Sequence, residues 1–535
     1  MFFSEQRAKN VFLHSVIIKN MMKILPIGTQ SFQRLREDDN LYVDKTSQMY
    51  RLAHAGRFFF LSRPRRFGKS LLLSTLKAYF EGKKELFEGL AVTKLEKEWK
   101  SYPVLHVDLN TGLYTSAEGL EEVLDSIVSD FEQRYSLPKK EGSYAIRFRN
   151  IVEKLGKTVI LIDEYDKPLI STLDNPELNN QFRAMLKSFY SVLKTCDQNI
   201  HFAFITGVSK FSHVSIFSDL NNLRDISLNA DFSDICGITE KELHTCFPEY
   251  VSQMAKDQGI TDEQVYEQLK AMYDGYHFAN DMTDVYNPFS LLNAFADRDF
   301  RNYWYQSGTP TFLIKLLSQH KINPTALSQG EIAVEDPMDA GNDYDKPFGI
   351  FYQTGYLTIK GHNTRRNLYK LGFPNWEVES SFLRNLIPLF LAKTSTQLDS
   401  FLWNSVEGLY EGKVEEFMRA LKEFMSGIPY EIIRNDEKYY QTVIFMIFRV
   451  MGVFQMAEYA TADGRIDLLV TAEDYLYLFE FKVDKTPEEA MAQINDKEYL
   501  LPFRHDNRKR YKIGVNFSTE KRNIDEWVIE EDCRK

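Results

Sequence analysis

Residues 158 to 164 read Thr158-Val159-Ile160-Leu161-Ile162-Asp163-Glu164. A segment apolar on both faces suits a strand covered on both sides, as an inner strand of a parallel sheet is. It ends in two adjacent carboxylates, whose mutual repulsion is costly unless a cation relieves it. This stretch therefore predicts a parallel sheet with an acidic, cation-binding edge. Further candidate strands at Phe58–Leu61, Val104–Leu109 and Phe202–Thr206 alternate with helical stretches between Lys23 and Thr245, the pattern of strands joined by crossover helices.

The first of these strands runs into Ser62-Arg63-Pro64-Arg65-Arg66-Phe67-Gly68-Lys69-Ser70 and then an apolar helical stretch to Phe80. Strand, loop and helix in that order are the setting of a phosphate loop, where backbone N–H groups and the helix dipole favour an anion. Arg63 stands where the usual pattern has its first glycine. Gly68-Lys69-Ser70 alone is equally compatible with a basic loop and a helix cap. The Asp163-Glu164 pair decides for the phosphate loop. The candidate nucleotide-binding set is Arg66, Phe67, Gly68, Lys69, Ser70, Asp163 and Thr206. In it Lys69 reaches the β- and γ-phosphates of ATP, Ser70 and Asp163 hold Mg²⁺, and Glu164 acts as catalytic base toward water. Thr206, at a strand end, is placed to sense the γ-phosphate. The strand Val104–Leu109 implies the ATPase branch in which an extra strand separates the two motif strands.

At 535 residues the chain is too long for one domain and predicts roughly three. With 65 Lys and Arg against 76 Asp and Glu, its formal charge of −11 excludes a uniformly basic nucleic-acid coat. The four cysteines include no CxxC pair and suit a reducing, cytoplasmic interior. No uninterrupted apolar run is long enough for a membrane span; Thr442 to Ala457 is broken by Arg449. Residues 1–22 read as an N-terminal extension ahead of a second start at Met21 or Met22. The stretch 23–245 reads as the phosphate-loop domain and 246–400 as a helical lid or linker, in which Thr261 and Gln264 are spaced as a capping box. The remainder, 401–535, reads as a third domain.

In that third domain, Arg465 to Val483 forms a hairpin. A two-residue turn at Glu473-Asp474 pairs Ala472 with Tyr475 and sets Asp467 opposite Glu480. Period-2 alternation puts Asp467, Leu469, Leu478, Glu480 and Lys482 on one face and leaves the other wholly apolar. Opposed carboxylates call for a divalent metal, Mg²⁺ or Mn²⁺, and Lys482 on the same face can stabilise charge building on a scissile phosphate. An amphipathic hairpin whose charges merely face water is the plainer alternative. Glu458 is a further candidate ligand. The run Arg504, Arg508, Lys509, Arg510 and Lys512 reads either as a track along a nucleic-acid backbone or as a solvated surface.

Several stretches together resemble the bacterial AAA-ATPase-like family: Leu25-Pro26-Ile27-Gly28, Tyr42-Val43-Asp44-Lys45-Thr46, Arg63 to Ser70, Asp163-Glu164-Tyr165-Asp166, Tyr273-Asp274-Gly275-Tyr276, Tyr286-Asn287-Pro288-Phe289-Ser290 and Gln353-Thr354-Gly355-Tyr356-Leu357. The resemblance implies that Arg63 in place of glycine is usual. It also implies a C-terminal PD-(D/E)XK nuclease-like domain, in which Asp467, Glu480 and Lys482 are catalytic, Glu437 adds a metal ligand and Gln493 supports the site. The expected fold is α/β, with a P-loop ATPase-type parallel sheet and flanking helices, a helical middle region and a restriction-endonuclease-like C-terminal domain. The expected function is ATP binding and hydrolysis coupled to a metal-dependent nuclease-like domain acting on nucleic acid, DNA by resemblance. Its rival is a nucleotide switch whose C-terminal domain binds nucleic acid or a protein partner without cutting. Self-association into a homo-oligomer is compatible with both.

Overall fold

The computed structural model describes residues 22–110, 112–210, 222–304, 324–328, 330–339, 347–391, 393–426, 437–451, 454–461 and 464–532. Apart from Met22, the expected N-terminal extension lies outside them. The chain divides into two compact units, one from segments 1–309 and 332–377, the other from 310–331 and 378–535. Among the described residues no helix is long and apolar enough to cross a membrane.

The first unit is built on five strands: β1 (Phe58–Ser62), β2 (Val104–Asp108), β3 (Thr158–Asp163), β4 (Ile200–Gly207) and the short β5 (Arg224–Asp225). They pair in parallel in the order β2-β3-β4-β1-β5. An extra strand does separate β1 from β3, but it is β4 and not the Val104 strand. β2 lies at the sheet edge, and its pattern suits an edge, since His106 is half-buried and Asp108 exposed. Every residue of β3 is buried, as its two-sided apolar sequence requires. One sheet face packs Phe58, Phe60, Ile160, Ile162 and Ile205 beneath the helices Ala117–Arg134, Tyr144–Leu155 and Pro176–Tyr190. The first of these helices shows how sequence sets the contact. Leu120, Leu124, Val128 and Phe131 recur every three or four residues to form one buried stripe, and Ser116 caps its start by accepting from Gly119 N. On the other face Phe202 meets both Phe59 and Phe80, the latter from the helix Lys69–Phe80.

The middle of the chain adds the helices Pro248–Gln258, Asp262–Tyr273 and Pro288–Asp297, which share a core with Leu41 and Tyr303. The capping box of Thr261 and Gln264 is formed. This helical section also carries a small antiparallel sheet, β6 (Ile332–Val334), β7 (Thr358–Asn363) and β8 (Leu368–Gly372), in the order β6-β8-β7.

The second unit centres on a mixed sheet of β9 (Phe454–Thr461), β10 (Gly464–Ala472), β11 (Tyr475–Val483), β12 (Lys509–Ser518) and β13 (Asn523–Glu531), ordered β13-β12-β11-β10-β9. Only β11 and β12 run parallel, and the helix Pro487–Asp496 is the crossover that parallel pairing demands. This helix lies directly on β12 at Gly514, where a Cβ would come within 2.5 Å of the Pro487 carbonyl. On the opposite face, Tyr440 of the helix Glu437–Val450 stacks on Phe517, and Phe448 packs against Phe479. Both sheet faces are thus covered, so the charged side of the hairpin is not left to solvent.

Candidate functional site

The strand ends of the first sheet bring the expected nucleotide residues to one edge. Leu61 lies opposite Thr206 and Ser62 opposite Gly207, while β3 ends one position beyond Ile162, which lies opposite Ile205. The loop from Arg63 bends through two left-handed residues, Arg66 (φ 70°) and Gly68 (φ 93°), and the helix begins at Lys69. Arg63 itself is not left-handed, so no glycine is needed there. Its side chain turns inward, 1% exposed, where it donates to the carbonyls of Ser62, Ser227 and Phe232 and lies over the Phe278 ring. Phe67 is also buried, edge-on to Tyr276 and Phe278, so this loop residue offers its backbone rather than its ring. The Arg66 guanidinium lies over Phe289.

Lys69 is buried, and its Nζ donates to the carbonyls of Arg63 (2.9 Å) and Pro64 (3.0 Å). Burial pulls its pKa down, and the charges of Asp163, Glu164 and Asp166 oppose that pull. Ser70 sits half-buried in the same helical turn. Asp163 Oδ1 accepts from Thr206 Oγ1 (2.8 Å) and Glu164 N (3.1 Å). The Thr206 hydroxyl thus orients Asp163 at the same strand end. Glu164 holds a left-handed backbone (φ 48°), and burial raises its pKa, against the lowering effect of Lys69. Beside the loop a largely apolar cleft is lined by Pro26, Tyr42, Lys45, Gly68, Leu71 and Leu292 among others.

Sequence reasoning assigned no role to Asp166, although it closes the same acidic stretch. It is 1% exposed, and its Oδ2 accepts from Val208 N (3.0 Å), Ser209 N (2.7 Å) and Ser209 Oγ (2.9 Å). It thereby fixes the turn that follows β4. Asp166→Ala leaves those donors buried without an acceptor and is expected to cost about 2–4 kcal/mol in denaturant unfolding. A loss below about 0.5 kcal/mol would mean that water replaces the carboxylate.

In the second unit the hairpin register is the expected one. Ala472 pairs with Tyr475 across a turn in which Glu473 takes φ 42°, and the ladder runs to Leu468 opposite Phe479. That register carries Asp467 to the position facing Glu480. Asp467 Oδ2 accepts from Phe481 N (2.8 Å). Glu480 is 1% exposed; its Oε1 accepts from Lys482 Nζ (2.9 Å), while its Oε2 has no hydrogen-bond partner. Burial, and then the neighbouring Asp467 charge, push its pKa up to about 7. Lys482 also donates to Gln493 Oε1 (2.8 Å) on the crossover helix, and Gln493 Nε2 in turn donates to Tyr499 Oη (3.3 Å). Hard carboxylate oxygens, one of them buried and unpartnered, fit a hard divalent cation that keeps part of its water shell. Among the described residues no group of three or more His, Cys, Asp or Glu side chains could hold a metal. Glu437 opens the helix Glu437–Val450, but its side chain, like that of Glu458, lies outside the described residues.

Three of the five side chains of the basic run are tied to acids, while Arg504 and Lys509 are exposed. Arg508 pairs with Asp506 (2.5 Å), Arg510 with Asp532 (3.3 Å) and Lys512 with Glu530 (3.0 Å), and Lys512 also donates to Asn495 (2.8 Å). The antiparallel β12–β13 pairing brings the last two acids alongside their partners.

A loop-capped helix on a parallel sheet, and opposed carboxylates with a lysine on a mixed sheet, define an ATPase-like unit followed by a nuclease-like one. The chain belongs to the AAA-ATPase-like family: residues 26–217 match the predicted AAA-ATPases, and residues 435–527 match the PD-(D/E)XK nuclease superfamily. An uncharacterized protein in the vnfD 5′ region of Azotobacter chroococcum mcd 1 is 35% identical over 533 residues, 95% of this chain and 99% of the relative. Two solved structures are more distantly similar. The Walker-type ATPase PABY2304 of Pyrococcus abyssi is 13% identical at a TM-score of 0.35, over 65% of this chain and 96% of that one. The Aeropyrum pernix ORC2 protein, in ADPNP and ADP complexes, is 12% identical at a TM-score of 0.27, over 70% of this chain and 97% of that one.

Proposed function

We propose that this chain binds and hydrolyses ATP and acts on nucleic acid, DNA by preference, through a metal-dependent nuclease-like site. In this reading 23–245 is the ATPase-type domain, 246–400 a lid or linker and 401–535 the nuclease-like domain, at work in the cytoplasm. The observation that carries it is Glu480: a buried carboxylate with one oxygen unpartnered, facing Asp467 and followed by a lysine held by Gln493. Without a cation the two carboxylates destabilise each other. A bound divalent ion would supply Lewis-acid charge at a phosphate. Asp467 and Glu480 would hold it, and Lys482, oriented by Gln493, would steady the charge that builds on the phosphate.

In the first unit, backbone N–H groups of the loop and Lys69 receive the phosphates, and the apolar cleft beside Gly68 receives the base. Ser70 and Asp163 would hold Mg²⁺. Glu164 accepts the proton of the attacking water, a role suited to a carboxylate whose pKa is raised. Thr206 keeps Asp163 in place.

The test is to assay the full chain for phosphate release from ATP, and for cleavage of single-stranded DNA, duplex DNA and RNA with Mg²⁺ or Mn²⁺, each with and without ATP. Metal-dependent cleavage together with ATP turnover is expected. The alternative is the non-cutting switch. It becomes the better reading if nucleic acid is bound in the presence of metal and never cut.

A further inference from the structure

The phosphate loop is held from outside, by segments far away in sequence. Its left-handed Arg66 carries a steric cost that glycine would not, so the loop does not take this shape by preference. Four of its carbonyls are engaged. Those of Arg63 and Pro64 accept from Lys69 Nζ, that of Phe67 from Gly237 N (3.2 Å), and that of Arg65 from Trp304 Nε1 (3.2 Å). Turning carbonyls outward is what leaves N–H groups free to meet an anion. The first two bonds use two of the three N–H donors of Lys69 and leave the third for a phosphate oxygen. The Trp304 bond can persist when nucleotide binds.

Trp304 is placed with care. It is 6% exposed and lies edge-on to Tyr356, with its ring 3.3 Å from where a Cβ on Gly355 would stand. Gly355 takes φ 91°, and that same Cβ would be 2.7 Å from the Pro64 ring, so the 355 turn is pressed against the loop. The Trp304 backbone N–H donates to Glu377 Oε1 (2.7 Å), and Glu377 Oε2 accepts from Ser290 Oγ (2.7 Å). A carboxylate 1% exposed is expensive to bury, and here it anchors the residue that grips the loop.

We propose that Trp304 is a positioning residue for nucleotide binding: its indole N–H holds the Arg65 carbonyl outward, and Glu377 anchors it. The proposal rests on the ATP-binding reading above. Trp304→Phe keeps an aromatic ring and removes the N–H. In the full chain, calorimetric affinity for Mg·ATP is expected to fall about three- to tenfold, the worth of one hydrogen bond. KM should rise to match with kcat nearly unchanged, while the smaller ring in this packed site lowers the nucleotide-free melting temperature. Glu377→Ala should reproduce the loss of affinity. Glu377→Gln, whose amide oxygen still accepts from Trp304 N, should largely restore it; this pair decides the matter if Trp304→Phe does not fold. If wild type binds ATP, Lys69→Ala does not, and Trp304→Phe or Glu377→Ala binds as wild type does, this proposal is overturned while the ATP reading stands. Should wild type itself bind no ATP, both fall together.

Discussion

Lys69→Ala is expected to fold normally and to lose ATP, with affinity down about ten- to a hundredfold or more. It removes the lysine assigned to the β- and γ-phosphates, a charge-assisted contact. Stability without nucleotide should hardly suffer, because the buried ammonium carries its own desolvation cost and bonds only to two loop carbonyls. Glu164→Gln should behave in the opposite way. Binding persists, since the amide fills the same space, but phosphate release slows by about 10²–10⁴-fold because the amide cannot take a proton from water. Calorimetry with Mg·ATP and a steady-state phosphate assay separate the two effects. Hydrolysis by Glu164→Gln at the wild-type rate would remove Glu164 from the role of base. Asp166 could not readily replace it, since its Oδ2 already accepts three hydrogen bonds.

The hairpin site predicts a pH dependence of definite sign. Glu480 has a folded pKa of about 7 against an ordinary value of 4.5. Between those values the folded chain keeps a proton that the unfolded chain has lost. Stability of the metal-free second unit therefore falls as pH rises through that window, by on the order of 3 kcal/mol from this group. A divalent ion takes the proton's place, so stabilisation by Mg²⁺ or Mn²⁺ should be slight near about pH 5 and reach its plateau above about pH 7. Asp467→Asn keeps an oxygen for Phe481 N but removes one of the two facing charges. The metal-free protein should then gain up to ~1 kcal/mol above neutral pH, lose most of its metal stabilisation and stop cutting. Lys482→Ala should still bind metal and not cut, because its part is played in the transition state. Calorimetric scans of the full chain at two pH values, with and without metal, beside a cleavage assay, read all three. Wild type that gains nothing from metal, together with an Asp467→Asn variant that melts lower, would make the carboxylates structural.

Much of this arrangement was legible where chemistry and strand order are local. The β3 run, the Gly68-Lys69-Ser70 loop and the Glu473-Asp474 turn each declare their geometry within a dozen residues, and each forms as read. What escaped was long-range. No local pattern tells that β4, rather than β2, inserts beside β1, or that the Arg65 carbonyl is held by an indole 239 positions away. Nor does the basic run itself show that Arg510 and Lys512 meet acids, because Asp532 and Glu530 come later in the chain. Thr206 was correctly placed at a strand end, but which neighbour its hydroxyl would choose depended on the adjacent strand carrying Asp163. Alternation showed which residues share a face of the hairpin. It could not show that a later helix would cover that face and bury Glu480.

The hairpin's shortness bears on how the second unit comes together. Asp467 and Glu480 are joined by a single tight turn, so bringing them face to face closes a very small loop and costs little chain entropy. The parallel partner β12 follows only after the crossover helix, and that helix carries Gln493. During synthesis the two carboxylates therefore leave the ribosome as a nearly complete pair, before the parts that orient Lys482 and seal the face. The facing of the two carboxylates belongs to the nascent hairpin, whereas their burial and the aiming of the lysine belong to the finished sheet.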